Sequence, residues 1–352
     1  MDTLLGGHDL CLHYSSSLKE KVTMKSHRDR SYARWRTYAH SCMSDIYRVR
    51  VLILLCLVFG STLFISRASS IMGWSHDRQT PRVFPRSGYT VVINTWKRND
   101  LLKRSVSHYS SCQGVDAIRV VWSEPTPPSD SLRSSLEGLV ELATRKKHRH
   151  VSLQLDIHVD DDLNNRFKPL DGLSTDAILS IDDDVLVPCG TVESAFSAWT
   201  SAPNSMVGFV PRMHWIKAMN LPLGNYEYSY GGWWSVWWMG TYSMVLSKAA
   251  FIHEKYFDMY TNQMPASVRQ YVKEKRNCED IAMSFLVANE TGAPPLWVKA
   301  RIYEIGSTGI SSLQGHSEHR TDCLNHFVSL FGCMPLIATH VKVADARHLW
   351  FW

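Results

Sequence analysis

Ala177-Ile178-Leu179-Ser180-Ile181-Asp182-Asp183-Asp184-Val185-Leu186-Val187-Pro188 is the stretch on which the fold turns. Ala177 to Ile181 has the length and composition of a buried strand, and three consecutive carboxylates follow its end. Apolar residues resume at Val185 and run to Val187 before Pro188 ends them. A solvated, Asp-rich turn is the ordinary reading of such a triplet. Here the apolar flanks argue otherwise, because three charges inside a buried segment are costly unless a cation or hydrogen bonds compensate them. The triplet is expected to hold a hard divalent cation against a phosphate-bearing ligand.

Upstream, strand and helix signals alternate. Tyr89 to Trp96 is β-rich and ends in Lys97-Arg98, and Asn99-Asp100 then offers a helix cap before Leu101, Leu102, Val106 and Tyr109 at helical spacing. Ala117 to Trp122 repeats the strand signal, Pro125, Pro127 and Pro128 interrupt it, and Ser131 to Leu142 reads as a second helix. Val151 to His158 alternates as a third strand, which makes Ala177 to Ile181 the fourth. This alternation predicts a parallel α/β sheet whose ligands gather at the carboxyl ends of its strands. Arg98 and Asn164-Asn165-Arg166 lie on loops that such a sheet collects at one edge. Guanidinium groups there suit bidentate phosphate contacts, although exposed helix starts use the same residues.

Downstream of Met206 to Val210 comes an aromatic run from Tyr226 through Tyr228, Tyr230, Gly231-Gly232, Trp233-Trp234 and Trp237-Trp238. Clustered aromatics are expected in the core, while the paired glycines leave room for some to line a cleft and stack on sugar rings. Cys278-Glu279-Asp280 then precedes Ile281, Phe285 and Ala288 on one helical face, and carboxylates in a first helical turn are stabilised by the macrodipole. A disulfide from Cys278 would lock them in place, with Cys323 or Cys333 available as partner. His316, His319 and Arg320 form a polar cluster just before Asp322-Cys323, and a bond from Cys278 to Cys323 would deliver Arg320 to Asp280.

A chain of 352 residues, 45% apolar, buries a sizeable core. Residues 1–50 hold nine Lys or Arg against five acids, whereas the remainder holds 29 against 28, so the net charge of +5 sits almost wholly in the N-terminal segment. A near-neutral body argues against a nucleic-acid partner. Val51 to Ile65 carries no charge and follows Arg48 and Arg50. It is shorter than the roughly 20 residues of an ordinary span, yet it lies too deep for a cleaved signal and thin membranes of the early secretory pathway accept shorter spans. The expected organisation is a cytosolic tail (1–50), a signal anchor (51–66), a stem (67–88) and a luminal body (89–352), oriented by the positive charge ahead of the span. Cys11 and Cys42 then face the cytosol and Cys56 the membrane, leaving Cys112, Cys189, Cys278, Cys323 and Cys333 in an oxidising lumen. Five is odd, so at least one thiol stays free or pairs between chains, and the lack of a Cys-x-x-Cys pair argues against structural zinc. The sequon Asn289-Glu290-Thr291 falls on the luminal side.

Asn94-Thr95-Trp96-Lys97-Arg98, Leu163-Asn164-Asn165-Arg166-Phe167, the Asp triplet, Asn277-Cys278-Glu279-Asp280, and Arg320 with Cys323 together resemble the exostosin-like glycosyltransferases of family 64. The resemblance runs from about Tyr89 to the C-terminus. It implies a GT-A fold, a type II Golgi membrane protein, a nucleotide-sugar donor and retention of anomeric configuration. Tyr230 to Tyr242 and the ending Asp345 to Trp352 are similar to plant members acting on glycosylinositol phosphorylceramide sphingolipids. That similarity implies GDP-mannose as donor and a glucuronosyl inositol phosphorylceramide as acceptor, where the wider family mostly uses UDP-N-acetylhexosamines. It also assigns the nucleotide sugar to Asn94, Arg98, Ser123, Asp161 and Arg166, with Asp182 and Asp183 around it and Asp184 on Mn²⁺. Asp280 takes the catalytic position, Glu279 holds the sugar, Arg320 faces the diphosphate, and the Cys278–Cys323 pairing fits these positions. Ser123 and Asp161 depart from the animal members, which carry asparagine there, and this bears on nucleotide or sugar preference.

Two other classes compete with a transferase. A catalytically silent glycan-binding protein would often have lost the metal carboxylates, and this chain keeps them together with Asp280 and Arg320. A phosphohydrolase built on the triplet lacks the further ligands of a two-metal site.

Overall fold

The computed structural model describes residues 47–65, 88–147, 149–220, 225–306 and 316–345. The chain divides into two units, Met1–Arg78 and Gln79–Trp352. In the first, Tyr47–Ile65 (α1) is one helix of 19 residues, long and apolar enough to cross a membrane. The tail with Cys11 and Cys42, the stem up to residue 87, and Ala346 to Trp352 lie outside the described residues.

The second unit opens with β1 (Tyr89–Thr95), α2 (Asn99–Ser110), β2 (Val115–Trp122), α3 (Asp130–Lys147), β3 (Ser152–Ile157), a 3₁₀ turn (Leu163–Phe167) and β4 (Ala177–Asp182). It continues through β5 (Val185–Leu186), α4 (Cys189–Ser201), β6 (Val207–Gly208), β7 (Pro211–Asn220), β8 (Asn225–Gly231), α5 (Trp233–Met239), β9 (Met244–Val245) and β10 (Ala249–His253). Then follow α6 (Lys255–Asp258), α7 (Ala266–Lys275), α8 (Glu279–Thr291), β11 (Leu296–Val298), β12 (Tyr303–Glu304), α9 (His316–Phe331) and β13 (Lys342–Val343).

The main sheet has eight strands in the order β13-β11-β6-β10-β4-β1-β2-β3. β3, β2, β1 and β4 are parallel, β10 runs against both its neighbours, and β6, β11 and β13 are again parallel to one another. Successive side chains of the central strands enter two separate cores. Val91, Ile93, Leu179 and Ile181 pack with Leu102 of α2, Leu136 of α3 and Val192 of α4, whereas Val92 and Ile178 pack with Phe285 of α8 and Phe327 of α9. Burial on both faces is why these strands read as continuous apolar runs rather than as an alternation.

Strand order reverses at β1, which lies between β2 and β4, and a crevice opens at the carboxyl ends where neighbouring connections diverge. Asn94 and Asp182 are partners in the β1–β4 register, so the triplet emerges in that crevice.

Two expectations change. Asn99 and Asp100 do not cap α2: Arg98 takes the cap position without a side-chain cap bond, which leaves its guanidinium to reach back toward the crevice. The aromatic run divides: Tyr228 and Tyr230 on β8 are buried, but α5 turns inward through Val236, and its tryptophans face solvent.

Candidate active site

At the sheet edge the backbone turns within the triplet and sends its carboxylates in different directions. The Asp182 N–H donates to the Lys248 carbonyl (3.1 Å) and the Asp183 N–H to the Asn94 carbonyl (3.2 Å), tying the turn to β1 and to the start of β10. Asp183 is wholly buried, where its Oδ2 accepts from Thr95 Oγ1 (2.7 Å) and its Oδ1 forms an ion pair with Arg98 (2.5 Å). Asp183 is thus spent on holding Arg98. Burial pushes its carboxyl up to about 6, against the Thr95 hydrogen bond and the Arg98 charge. Asp184 is partly exposed and accepts from Arg98 Nη1 (2.8 Å). Its carbonyl accepts from the Ile305 N–H (2.7 Å), and Gly306 is pressed so close that a Cβ there would lie 2.8 Å from the Asp184 side chain.

The second half of the site comes from the helical layer. Cys278 precedes α8 in a left-handed conformation (φ 75°) and is disulfide-bonded to Cys323 of α9 across a Cα separation of 6.4 Å. That bond brings Arg320 to the first turn of α8. Asp280 Oδ2 accepts from Arg320 Nη2 (2.6 Å), and Asp280 Oδ1 accepts from the Ile281 N–H (2.7 Å). Arg320 Nη1 also donates to the Tyr230 hydroxyl (2.8 Å), with the guanidinium 5.2 Å from the ring centre. α9 itself is fastened along β8, because the Tyr230 and Tyr228 N–H groups donate to Thr321 Oγ1 (3.1 Å) and Asn325 Oδ1 (2.8 Å), one helical turn apart. Burial acts to raise the Asp280 pKa, but the Arg320 guanidinium and the Ile281 N–H outweigh it and hold the carboxyl below its ordinary value. Glu279 is pushed up to about 7 by burial and by the neighbouring Asp280 carboxylate, against Arg166 and Arg320.

Arg166 joins the halves. It is buried on the 3₁₀ turn, pairs with Asp182, donates through Nη1 to Ser247 Oγ (3.0 Å), and lies 3.6 Å from Glu279 Oε1. The turn is capped by Asp162, which accepts from the Asn164 N–H (2.9 Å). Asn165 donates to Ser123 Oγ (3.2 Å) just beyond β2, bringing that residue to the same edge. Arg166 Nε, Arg320 Nε and Asn165 Oδ1 are buried without hydrogen-bond partners among the described residues. These atoms are open to a ligand or an ordered water.

The arrangement fits a hard divalent cation. Asp182, Asp183, Asp184, Glu279 and Asp280 set five carboxylates against the three guanidinium groups of Arg98, Arg166 and Arg320, a local excess of two negative charges when all are ionised. The donor atoms are oxygens, the set such a cation prefers. Asp184 offers the more accessible carboxylate of the adjoining Asp183–Asp184 pair.

Of the residues singled out in the sequence, Asn94, Arg98, Ser123, Arg166, Asp182, Asp183 and Asp184 gather at the sheet edge, with Glu279, Asp280 and Arg320 beside them. Asp161 is held by Arg276 (2.6 Å), outside the contacts that join the other residues. His319 is exposed, and the His316 side chain lies outside the described residues. Tyr230, Ser247 and Arg276 carry contacts that the motif analysis did not assign. The basic residue immediately before Asn277-Cys278 was the available signal for Arg276, and no sequence pattern marks Ser247. Cys112 pairs with Cys189, and among the described residues after α1 Cys333 is the exposed free thiol. Asn289 stands exposed on the last turn of α8.

A mostly parallel α/β sheet with paired carboxylates and arginines at its switch point is the framework of a glycosyltransferase, and the chain belongs to the Glycosyl transferase family 64, whose domain matches residues 89–350. It is similar to Glycosylinositol phosphorylceramide mannosyl transferase 1 of Arabidopsis thaliana, 56% identical over 304 residues covering 86% of this chain and 90% of that protein. Exostosin-2 of Homo sapiens is 33% identical over 277 residues, 76% of this chain but 35% of its own length. Glucosamine inositolphosphorylceramide transferase 1 of Oryza sativa subsp. japonica is 33% identical over 258 residues, 71% of this chain and 32% of its own length. The chain therefore spans about a third of the latter two relatives.

Proposed function

We propose that this chain is a retaining Golgi mannosyltransferase of the GT-A type, moving mannose from GDP-mannose to a glucuronosyl inositol phosphorylceramide with Mn²⁺ as cofactor. The observation that carries the reading is the 56% identity, over nine-tenths of its length, to the Arabidopsis glycosylinositol phosphorylceramide mannosyl transferase. α1 serves as a type II anchor, with a cytosolic tail before it, a stem after it and the body from residue 89 in the lumen. Two disulfides and an exposed sequon at Asn289 suit that compartment.

In this reading the nucleotide sits at the strand ends, against Asn94, Ser123 and Asp161, and Arg98 turns from the triplet toward the phosphates. Mn²⁺, held by Asp184 with Asp182 alongside, would neutralise charge on the departing diphosphate. Arg166 and Arg320 supply fixed positive charge at the same place, already oriented before the bond breaks. Asp280, kept ionised by Arg320, faces the positive charge that builds at the anomeric carbon. Glu279, titrating about 7, holds a sugar hydroxyl either as donor or as acceptor.

The test incubates the full chain with Mn²⁺, a panel of nucleotide sugars and the inositol phosphorylceramide acceptor, followed by product identification. Mannose is expected from GDP-mannose with the donor's configuration kept. Exclusive transfer from UDP-N-acetylglucosamine, or an inverted linkage, contradicts the proposal.

A further inference from the structure

α5 turns the usual amphipathic pattern outward. Trp234, Trp237 and Trp238 stand at i, i+3 and i+4, the spacing of a buried stripe, yet they are 76%, 62% and 82% exposed while Val236 is 3% exposed. Edge contacts between Trp234 and Trp237 (6.1 Å between centroids) and tilted packing of Trp237 with Trp238 (6.4 Å) join the three rings into one contiguous cluster, called the tryptophan plate below. The run from Trp233 to Met239 carries no charge. These exposures leave on the order of 500 Å² of indole surface uncovered, as large as the biggest apolar patch on a typical monomer.

We propose that the α5 tryptophan plate docks into the headgroup boundary of a lipid bilayer and presents the active site to the surface in which the acceptor is embedded. The second half of that statement rests on the sphingolipid acceptor reading, and the docking rests on the reading of α1 as a membrane anchor. Indole pairs an apolar ring with one N–H donor and is enriched where hydrocarbon meets water, so a cluster of three without charges suits that boundary. Chain connectivity argues for the same partner. Twenty-two residues, 66–87, separate the end of α1 from Gly88, and fully extended they reach at most about 80 Å. A body tethered in this way to a spanning helix stays within reach of the same bilayer.

The plate is also continuous with the catalytic machinery. α5 begins three residues after Tyr230, whose hydroxyl accepts from Arg320, and the β7–β8 hairpin leading into it exposes Ile216, Met219 and Tyr226. A transferase whose acceptor carries a ceramide needs such an orientation, since the glycan extends only a short distance from the membrane.

The experiment reconstitutes the full chain in phosphatidylcholine vesicles whose acyl chains are brominated to quench nearby indoles. α1 contains no tryptophan, so bromolipid-sensitive emission arises outside the span. W234S/W237S/W238S is expected to lose at least about half of that quenching. On bilayer-embedded acceptor its kcat/KM should fall about tenfold, while KM for GDP-mannose and transfer to the lipid-free headgroup glycan stay within about twofold. W238S alone, removing the most exposed ring, should show the same split at about threefold and guards against misfolding of the triple variant. Unchanged quenching overturns the proposal. Equal loss on lipid and headgroup acceptors overturns it in favour of a glycan platform, and a change from dimer to monomer with quenching unchanged overturns it in favour of a second copy. If no acceptor is mannosylated by the unaltered chain, the acceptor reading fails, and the quenching contrast still decides docking by itself.

Discussion

The two halves of the site use the same chemistry, carboxylate against guanidinium, and hold it in opposite ways. At the sheet edge Arg98 keeps about a third of its side-chain surface exposed and divides itself between Asp183 and Asp184. Beside α8, Asp280 and Arg320 are each only 6% exposed, locked by a disulfide and by hydrogen bonds to Ile281 and Tyr230. The Arg98–Asp184 contact, partly exposed on both sides, exchanges partners readily because its attraction is weak in high dielectric, while Asp183 stays buried beneath it. A buried pair does not, since removing one member strands the other charge away from water. On the proposed reading, the edge would receive the charged donor and the helical half would keep a fixed field around the reacting carbon.

The largest effect expected from breaking this contrast is D280N, which removes the anion from the fixed half. Turnover should fall about a thousandfold, roughly 4 kcal/mol of transition-state stabilisation, in steady-state assays at saturating donor. D184N strikes the exchangeable half, and the expected result is a loss of about a hundredfold in kcat/KM with a matching rise in the divalent concentration needed for half-maximal rate. C278S leaves every charge in place but frees α9 from α8. Turnover should drop about tenfold as Arg320 loses its position, with about 2–4 kcal/mol less stability in denaturant unfolding. Full activity in C278S would show that hydrogen bonding along β8 suffices.

E279Q should change turnover least and sharpens the electrostatic side of the comparison. Glu279 ionises near 4.5 when unfolded and about 7 when folded, so between those values the native state keeps a proton that the unfolded chain has released. Stability from this group is therefore lost as pH rises from 4.5 to 7 and stays level above. The stability of the unaltered chain minus that of E279Q should fall across that window, read from unfolding curves at pH 5 and pH 7.5. A flat difference would place Glu279 in contact with water.

Much of the edge was legible because local signals there carry the topology. Four parallel strands, the first three separated by helices and the fourth ending at Asp182, determine which residues share the carboxyl-end crevice, and Arg98 and Arg166 follow from their loops. What separates Asp183 from Asp184 came only from the family resemblance, since identical side chains are sorted by the turn after β4 and by Thr95 beneath it. Exposure on α5 escaped for a related reason: helical spacing gives a face, but nothing local says whether another element covers it. Ser247 and the Asp161–Arg276 pair depend on contacts between segments far apart in the chain, where no periodicity points. The residues alone left Cys323 and Cys333 both open as partners of Cys278, and the family resemblance favoured Cys323, because the spacing of cysteines does not choose between them.

The division of labour between the two halves is tested most directly by calorimetric titration of GDP-mannose into the Mn²⁺-supplied full chain, D280N and D184N. The expected result is that D280N binds within about threefold of the unaltered chain despite its lost turnover, while D184N binds at least about tenfold more weakly. Equal weakening in both variants would contradict it.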